Sequence, residues 1–526
     1  MKKNKTTIFI LLFLVITIFY PLVTMLVNVE WNTFSELLKS NAFKSAFKNS
    51  VFITSIATII SISIAYLLAY TINRTKIKHK GILKVLLTLP MLIPSISHGI
   101  GLINLFGANG IISKIFNFNI VGGVGIVIGS ILYSFPVAFL MLSDGFNYVD
   151  NTMYDSAKIL GMNKWQTFKK VTFCYLKKPF FSSVFATFTL IFTDYGVPLA
   201  VGGKFTTLPV FLYKQVIGLL DFSRGTMIGL FLLIPAFISF LFDNLSKDYS
   251  IGDYSKKYKI ETNKVRDVLL NIFLYLILIF VVVIIASFIY YAFVDNPALN
   301  KSLSFKHFDY VLKDKLWMVL TNSLIIAVIT SIIGTIISYM VAYYTARIKG
   351  KLSKIAHILT IISLAIPGIV LGLSYTIGFR NTPIYNTYLI LIIVNIVHFI
   401  ASPYLMAYNA LLKVNPNYEL VAKTCKISSF KIIKDVIVPC TKKTIREMFA
   451  YFFVNSMVTI SAVAFLFNTK TLPMSLLISK YEEDFLLGET AIISLIILAI
   501  NLFVKLIVYF LNRKEVERSV LHEVNL

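Results

Sequence analysis

Apolar residues along this chain gather into long runs with short polar segments between them. The runs lie near 7–27, 50–72, 83–105, 121–143, 180–201, 225–243, 267–293, 317–345, 355–378, 388–411, 446–468 and 487–511. A helix needs about 20 apolar residues to cross a bilayer. The pattern therefore predicts an all-α fold, a polytopic transmembrane helical bundle of about 12 helices. Two runs carry breakers. Pro90 and Pro94 should kink the third, and Gly196-Val197-Pro198 should interrupt the fifth, as happens where freed backbone groups face protein or a cavity rather than lipid.

The runs repeat. Asn49-Ser50, Ala69-Tyr70, Arg74 and Pro94 recur 273 residues later as Asn322-Ser323, Ala342-Tyr343, Arg347 and Pro367. Farther on, Val149, Ala157, Lys158, Lys169 and Val171 recur at an offset of 265 as Val414, Ala422, Lys423, Lys434 and Val436. A shorter outer loop after the third span of the second half accounts for the change of offset. Six spans precede each repetition, so the two six-helix halves should be parallel, pseudo-symmetric about the membrane normal, and fused around one pore. The expected organisation is a first half over 1–245, a basic cytoplasmic linker over 246–266 containing Lys256-Lys257-Tyr258-Lys259, and a second half over 267–526.

Composition excludes a soluble protein. The chain has 526 residues, 57% of them hydrophobic and only 14% charged, with a mean hydropathy of +0.79. Lys and Arg number 50 against 25 Asp and Glu, a net charge of +25. In a soluble chain this would suggest nucleic acid. Here the basic residues lie in the loops, most of them on the side that holds the amino terminus, which orients a multi-pass protein of the cell membrane with both termini cytoplasmic. Membrane lipids, not nucleic acid, are the expected surroundings. The first run follows Met1-Lys2-Lys3-Asn4-Lys5 and reads as a retained signal-anchor helix. Trp31 and Trp317 fall at outer span ends, where indole rings anchor in the headgroup layer. Cys174, Cys425 and Cys440 form neither a disulfide framework nor a metal-ligand set.

The longest inner loop of each half, 148–180 and 414–445, reads as helix, turn, helix. In the first, Ile159 and Leu160 give a short helix an apolar face, Gly161 supplies a left-handed turn, and Trp165, Phe168 and Val171 mark a second amphipathic helix. The second repeats the pattern with Val421, Cys425, Phe430, Ile433 and Val436, and Pro439 ends it. Lysines in both loops would also suit amphipathic helices resting on anionic lipid.

These paired loops resemble the Glu-Ala-Ala loop of type I ATP-binding-cassette importer permeases of the fused two-half type. The resemblance covers essentially the whole chain and implies the MetI-like permease fold. It maps the motif onto Asp155, Ser156, Ala157 and Gly161 in the first loop, and onto Leu420, Val421, Ala422 and Lys426 in the second. The first has Asp-Ser-Ala for Glu-Ala-Ala; the second keeps only its last alanine and puts Lys426 where glycine would be. The resemblance further implies docking of these loops on ABC ATPase subunits, as a homodimer, and of an extracytoplasmic solute-binding protein on the outer face. Residues 192–225 and 452–467 are similar to the corresponding stretches of permeases assigned to 2-aminoethylphosphonate, with ferric iron, thiamine and polyamine permeases as more distant relatives.

A carboxylate within an apolar run is costly, by about 2.5–3.5 kcal/mol on insertion scales, which makes Asp194 the first candidate for a substrate pathway. Its repeat equivalent is Thr459. Thr187, Thr189 and Thr193 give the fifth run a polar stripe, as Asn455, Ser456 and Ser461 do the eleventh, although such hydroxyls often bond within or between helices. As the lesser alternative, Asp194 near an outer end could be a solvated cap for the Gly196-Val197-Pro198 break. His98 follows the Pro90 and Pro94 kink, and Lys204, Lys214 and Arg224 lie in an outer loop. No phosphate-binding loop, His-Glu-x-x-His or zinc-spaced set is present, so no catalytic or metal residue and no cofactor is assigned to this chain, and ATP would be hydrolysed on another polypeptide. An ion-coupled secondary transporter is the competing class; it should carry more membrane-embedded ionisable groups than Asp194 and Lys505. A polytopic membrane enzyme would need a catalytic cluster.

Overall fold

The computed structural model describes residues 10–524 except 109, 114–118, 148, 246–257, 261–262, 298–299 and 349. The basic start Met1–Lys5 and the Lys256-Lys257 pair lie outside the described residues. Among those described, seven helices are long and apolar enough to cross a membrane: Ile10–Val27, Asn41–Arg74, Gly123–Asn147, Phe222–Ser239, Lys264–Phe293, Leu316–Arg347 and Leu487–Lys514. Counting each of two bent pairs as one broken span brings the number to nine. Lys351–Ala365 turns by 110° into Gly368–Phe379, and Tyr388–Phe399 by 53° into Ala401–Lys413.

The three remaining apolar runs are divided. The run near 83–105 becomes Lys80–Leu87, a short turn at Leu89–Leu92, and Ser95–Phe106. Pro94 stands extended before the last piece, as Pro367 does before Gly368–Phe379, because proline cannot continue a helix yet suits its start. The run near 180–201 stops at Thr193 and restarts at Gly196, and the run near 446–468 stops at Val458.

Small residues set the closest helix packing. Ala57, Ser61, Ala65 and Ala69 recur every four residues along the buried face of Asn41–Arg74, and the Ser61 and Ser134 hydroxyls bond at 2.7 Å. At the repeat position of Ser61 stands Gly334, where a Cβ would come 2.9 Å from the Phe452 ring. Such surfaces let backbones approach where burial from water supplies no drive.

The chain divides into two compact units. One comprises Met1–Glu30, Val311–Leu477 and Leu495–Leu526; the other comprises Trp31–Tyr310 and Ile478–Ser494. This division differs from that of the repeat, because the first span of each half groups with residues of the other half. Within the first unit, Tyr375 Oη donates to the Thr17 carbonyl at 2.6 Å and Tyr20 Oη to that of Gly378 at 3.0 Å. Within the second, a Cβ at Gly101 would meet Ile284 Cγ2 at 2.7 Å, so a glycine admits Lys264–Phe293 there.

Candidate functional site: inner hairpins and broken spans

Each inner loop folds as two helices about a left-handed residue. Asp150 caps Asn151–Ile159 by accepting from Thr152 N at 2.9 Å. The helix ends at Gly161, φ +66°, with Met162 N donating to Ala157 O at 3.0 Å. The chain reverses into Lys164–Thr167, where Asn163 and Gln166 exchange side-chain and backbone hydrogen bonds, then passes through a π-turn at Phe168–Thr172 into Phe173–Thr193. The second loop follows the same path 265 residues on. Asn417–Thr424 ends at Lys426, φ +55°, Ile427 N donates to Ala422 O at 2.8 Å, and a π-turn at Ile433–Ile437 leads toward Lys442–Val458.

The closing bond from the second residue past the turn to the buried alanine is a Schellman arrangement. The burial of this position, rather than the bond, favours the small alanine that both loops share. Ala157 and Ala422 are each 2% exposed, and their carbonyls accept the bond that fixes the reversal. Asp155, Ser156, Leu420 and Val421 face solvent on the outer side of the same helices. Ile159, Leu160 and Trp165 are 86%, 70% and 70% exposed, and Phe430, at the repeat position of Trp165, is 75% exposed. Val171 packs inward as its period suggested. The apolar residues at the tips do not.

Two arginines hold these hairpins, and sequence reasoning gave them no role although the repeat marked both. Arg74, 3% exposed, places its guanidinium 3.5 Å from the Tyr258 ring centroid, 5.4 Å from that of Phe146 and 5.6 Å from that of Tyr154. Tyr154 belongs to the first inner helix, and its hydroxyl bonds Thr172 Oγ1 at 2.8 Å. Arg347 instead donates to the Val414 carbonyl at 2.7 Å and approaches Glu419 at 3.9 Å, while Tyr343 donates to the same carboxylate at 2.9 Å. Glu419 occupies the repeat position of Tyr154.

The broken spans use the other repeated residues. Asn49 donates to Thr206 O at 3.1 Å and Ser50 accepts from Leu208 N at 2.7 Å. In the second half Asn322 donates to Lys470 O and Leu472 O, and Ser323 accepts from Met474 N. The Asn-Ser pair thus pins the irregular chain that follows each break, satisfying backbone groups that lipid could not.

At the breaks, Asp194 and Thr459 each end a helix in the same extended conformation. The Asp194 carboxylate accepts from Gly196 N at 3.3 Å and Val197 N at 3.0 Å, and Ser95 hydrogen-bonds to it. It caps the restarted helix in a half-buried position rather than in solvent. Thr459 accepts at its carbonyl from Ser475 Oγ at 2.7 Å. Thr193 and Asn455 bond back to the carbonyls of Thr189 and Tyr451. Thr187, Thr189 and Ser456 keep buried hydroxyls with no hydrogen-bond partner among the described residues. A Cβ at Gly196 would come 2.3 Å from Ser95 Oγ, and one at Gly368 2.3 Å from Ser461 Oγ. Ser95 matches Gly368 and Gly196 matches Ser461 in the repeat, so each crossing holds one serine and one glycine in opposite order.

His98, 1% exposed, lies edge-on to Tyr133 at 5.9 Å. His398, at the repeat position of Tyr133, went unnoticed in the sequence; it stands beside Gly368. Of the outer-loop cations, Lys204 lines a cavity of about 600 Å³ with Ser45, Asn49 and Asn119, and Arg224 pairs with Asp221 at 3.3 Å. Lys214 begins a π-turn, Lys214–Gly218.

Comparison with known families agrees with this duplicated architecture. The family described as binding-protein-dependent transport system inner membrane component matches residues 61–248 and again 334–516. The chain belongs to that family. Its two matches begin 273 residues apart, the offset of the Asn-Ser pairs, and the chain is a type I ABC importer permease of the fused two-half type. A Haemophilus influenzae protein assigned as ferric transport permease FbpB 1 is 25% identical over 90% of this chain and 79% of its own length. The ferric transport system permease protein FbpB of Actinobacillus pleuropneumoniae is 24% identical over 96% and 78%. The molybdate/tungstate permease protein WtpB of Methanocaldococcus jannaschii is 26% identical over 45% of this chain and 93% of its own length.

Proposed function

We propose that this permease moves a small solute inward through the cell membrane by alternating access, driven by separate ATPase subunits that grip the two inner hairpins. One observation carries the reading. Both halves present the same helix, left-handed turn and helix with solvent-facing apolar tips, on a chain whose family is that of binding-protein-dependent transport components. An ATPase dimer engages the hairpins around Gly161 and Lys426, through the exposed Asp155 and Ser156 on one side and Leu420 and Val421 on the other, with the buried Ala157 and Ala422 fixing the turns that present them. A solute-binding protein delivers cargo at the outer face, and both termini are cytoplasmic. The pathway runs past the broken spans, with Thr193, Asp194, Asn455, Thr459 and Ser461 beside it.

Ferric iron is the cargo best supported, because the two ferric permeases align over nine-tenths or more of this chain. A phosphonate such as 2-aminoethylphosphonate is the second reading, resting on the resemblance of 192–225 and 452–467. The test is ATP-dependent uptake by the complex reconstituted with its ATPase and binding protein, supplied with radiolabelled ferric iron and phosphonate in parallel. Uptake should vanish when residues 155–161 are replaced by a flexible linker. Undiminished uptake by that variant refutes the coupling role, and uptake without nucleotide would favour an ion-coupled transporter.

A further inference from the structure

We infer that the segment joining the two halves is part of the coupling apparatus: Tyr258 and Lys259 strap the first inner helix in place, and Tyr258 is its positioning residue. Arg74 is almost wholly buried, and its Nη2 atom has no hydrogen-bond partner. Its charge rests instead on aromatic faces, of which the Tyr258 ring at 3.5 Å is much the nearest. A cation over a ring is stabilised most when water is excluded, and Tyr258 provides that cover. The same ring meets Tyr154 of the inner helix edge-on at 5.0 Å. One residue on, Lys259 N donates to Asn151 Oδ1 at 2.9 Å, while Asn151 Nδ2 donates to Asp155 Oδ2 at 2.9 Å. A continuous line of contacts therefore joins the linker to the acidic position of the motif. Arg266, farther along the connection, reaches Tyr70 Oη at 3.4 Å and Arg74 O at 3.5 Å.

The second half shows that this arrangement is particular to the first. There Arg347 donates to Val414 O and has the Glu419 carboxylate at 3.9 Å to balance its charge, although its Nε, like Arg74 Nη2, has no hydrogen-bond partner; Pro416, which has no side-chain hydrogen-bonding group, stands at the repeat position of Asn151. Its hairpin needs no outside cover. The first hairpin borrows its cover from the linker, so displacing the linker frees one inner helix and leaves the other as it was.

Hydrogen exchange on the purified full-length permease tests this without any transport assay. Tyr258→Ala should speed exchange across 151–159 by about tenfold, Tyr258→Phe should change it less than about twofold because the ring remains, and 417–424 should be unaffected by either. Equal exchange in Tyr258→Ala and wild type overturns the inference, as does faster exchange in both hairpins together, which marks general loosening. A second readout rests on the proposed function: in the reconstituted complex Tyr258→Ala should lower solute moved per ATP hydrolysed, and Tyr258→Phe should restore it. If wild type itself shows no ATP-driven uptake, the permease reading fails while the exchange result stands. If wild type transports and Tyr258→Ala couples equally well, the strap fails alone.

Discussion

Exchanging the residues at the two left-handed turns should move the hairpins in opposite directions. Gly161 has φ +66° and Lys426 φ +55°, a conformation that costs a residue with a Cβ about 1–2 kcal/mol relative to glycine. A Cβ added at Gly161 would meet nothing within 4 Å, so Gly161→Ala introduces backbone strain with no clash. Reduced freedom of the unfolded chain offsets part of it, by about 0.4–1 kcal/mol. The net loss is about 1 kcal/mol, or about fivefold in the local opening equilibrium. Lys426→Gly relieves the same strain and should tighten the second turn by a similar factor. The amides to follow by hydrogen exchange are those of Met162 and Ile427, which close the turns on Ala157 and Ala422. Faster exchange at Met162 in Gly161→Ala and slower exchange at Ile427 in Lys426→Gly are expected. If Lys426→Gly loosens its turn, the lysine side chain holds the hairpin by some contact other than backbone geometry, and the argument is refuted.

Three further outcomes follow from contacts described above. Gly196→Ala places a Cβ 2.8 Å from the backbone nitrogen of Ile96 as well as against Ser95, an overpacking worth about 1–3 kcal/mol; thermal unfolding in detergent should occur at lower temperature, whereas Gly81→Ala, with open space around it, should not lower it. Replacing Ile159 and Leu160 together by Gln, which adds no charge at the helix C-terminus, should abolish stimulation of the ATPase yet leave the permease about as stable as wild type, because both side chains are already exposed. The hydrogen bond of His307 Nδ1 with Glu489 at 2.9 Å raises the imidazole above its ordinary range. A raised value in the folded state means the contact is fully stabilising below pH about 6.5 and weakens as pH rises through the folded value. Amide protection of Lys306–Asp314 should fall accordingly, and His307→Gln should remove that dependence on pH.

The bundle could be read from the chain because lipid exposure leaves a strong mark. On Lys264–Phe293 only 17% of the most apolar window is buried, so nearly every position is apolar and the run cannot be missed. The two breaks were unequally visible. Gly196-Val197-Pro198 marked the one after Asp194, whereas hydropathy continues through Thr459 into Ile460 and Ala462 with no glycine or proline between 452 and 467 to signal the stop. The left-handed turn at Gly161 was visible as a glycine. That of Lys426 was visible only through its repeat partner, because a lysine carries no conformational signal of its own. The grouping of each half's first span with residues of the other half was invisible, as it depends on which glycine admits which helix.

The repeat located residues whose purpose only the fold explains, and it did so because the two copies solve one packing problem with different chemistry. Where the restarted span crosses its neighbour there is room for one hydroxyl. The first half places it on Ser95 against Gly196, the second on Ser461 against Gly368. An alignment of the halves sees two mismatches; the structure sees one slot filled from opposite sides. The same holds for the inner hairpins. Tyr154 and Glu419 occupy one position, and the arginine common to both halves meets a π-face in one case and a carboxylate in the other. A ring shields a buried cation but neutralises nothing, so only the first copy needs a further cover. The departure from sequence symmetry and the docking of the linker are therefore one fact: once the carboxylate is replaced by a phenol, some other part of the chain has to close over Arg74.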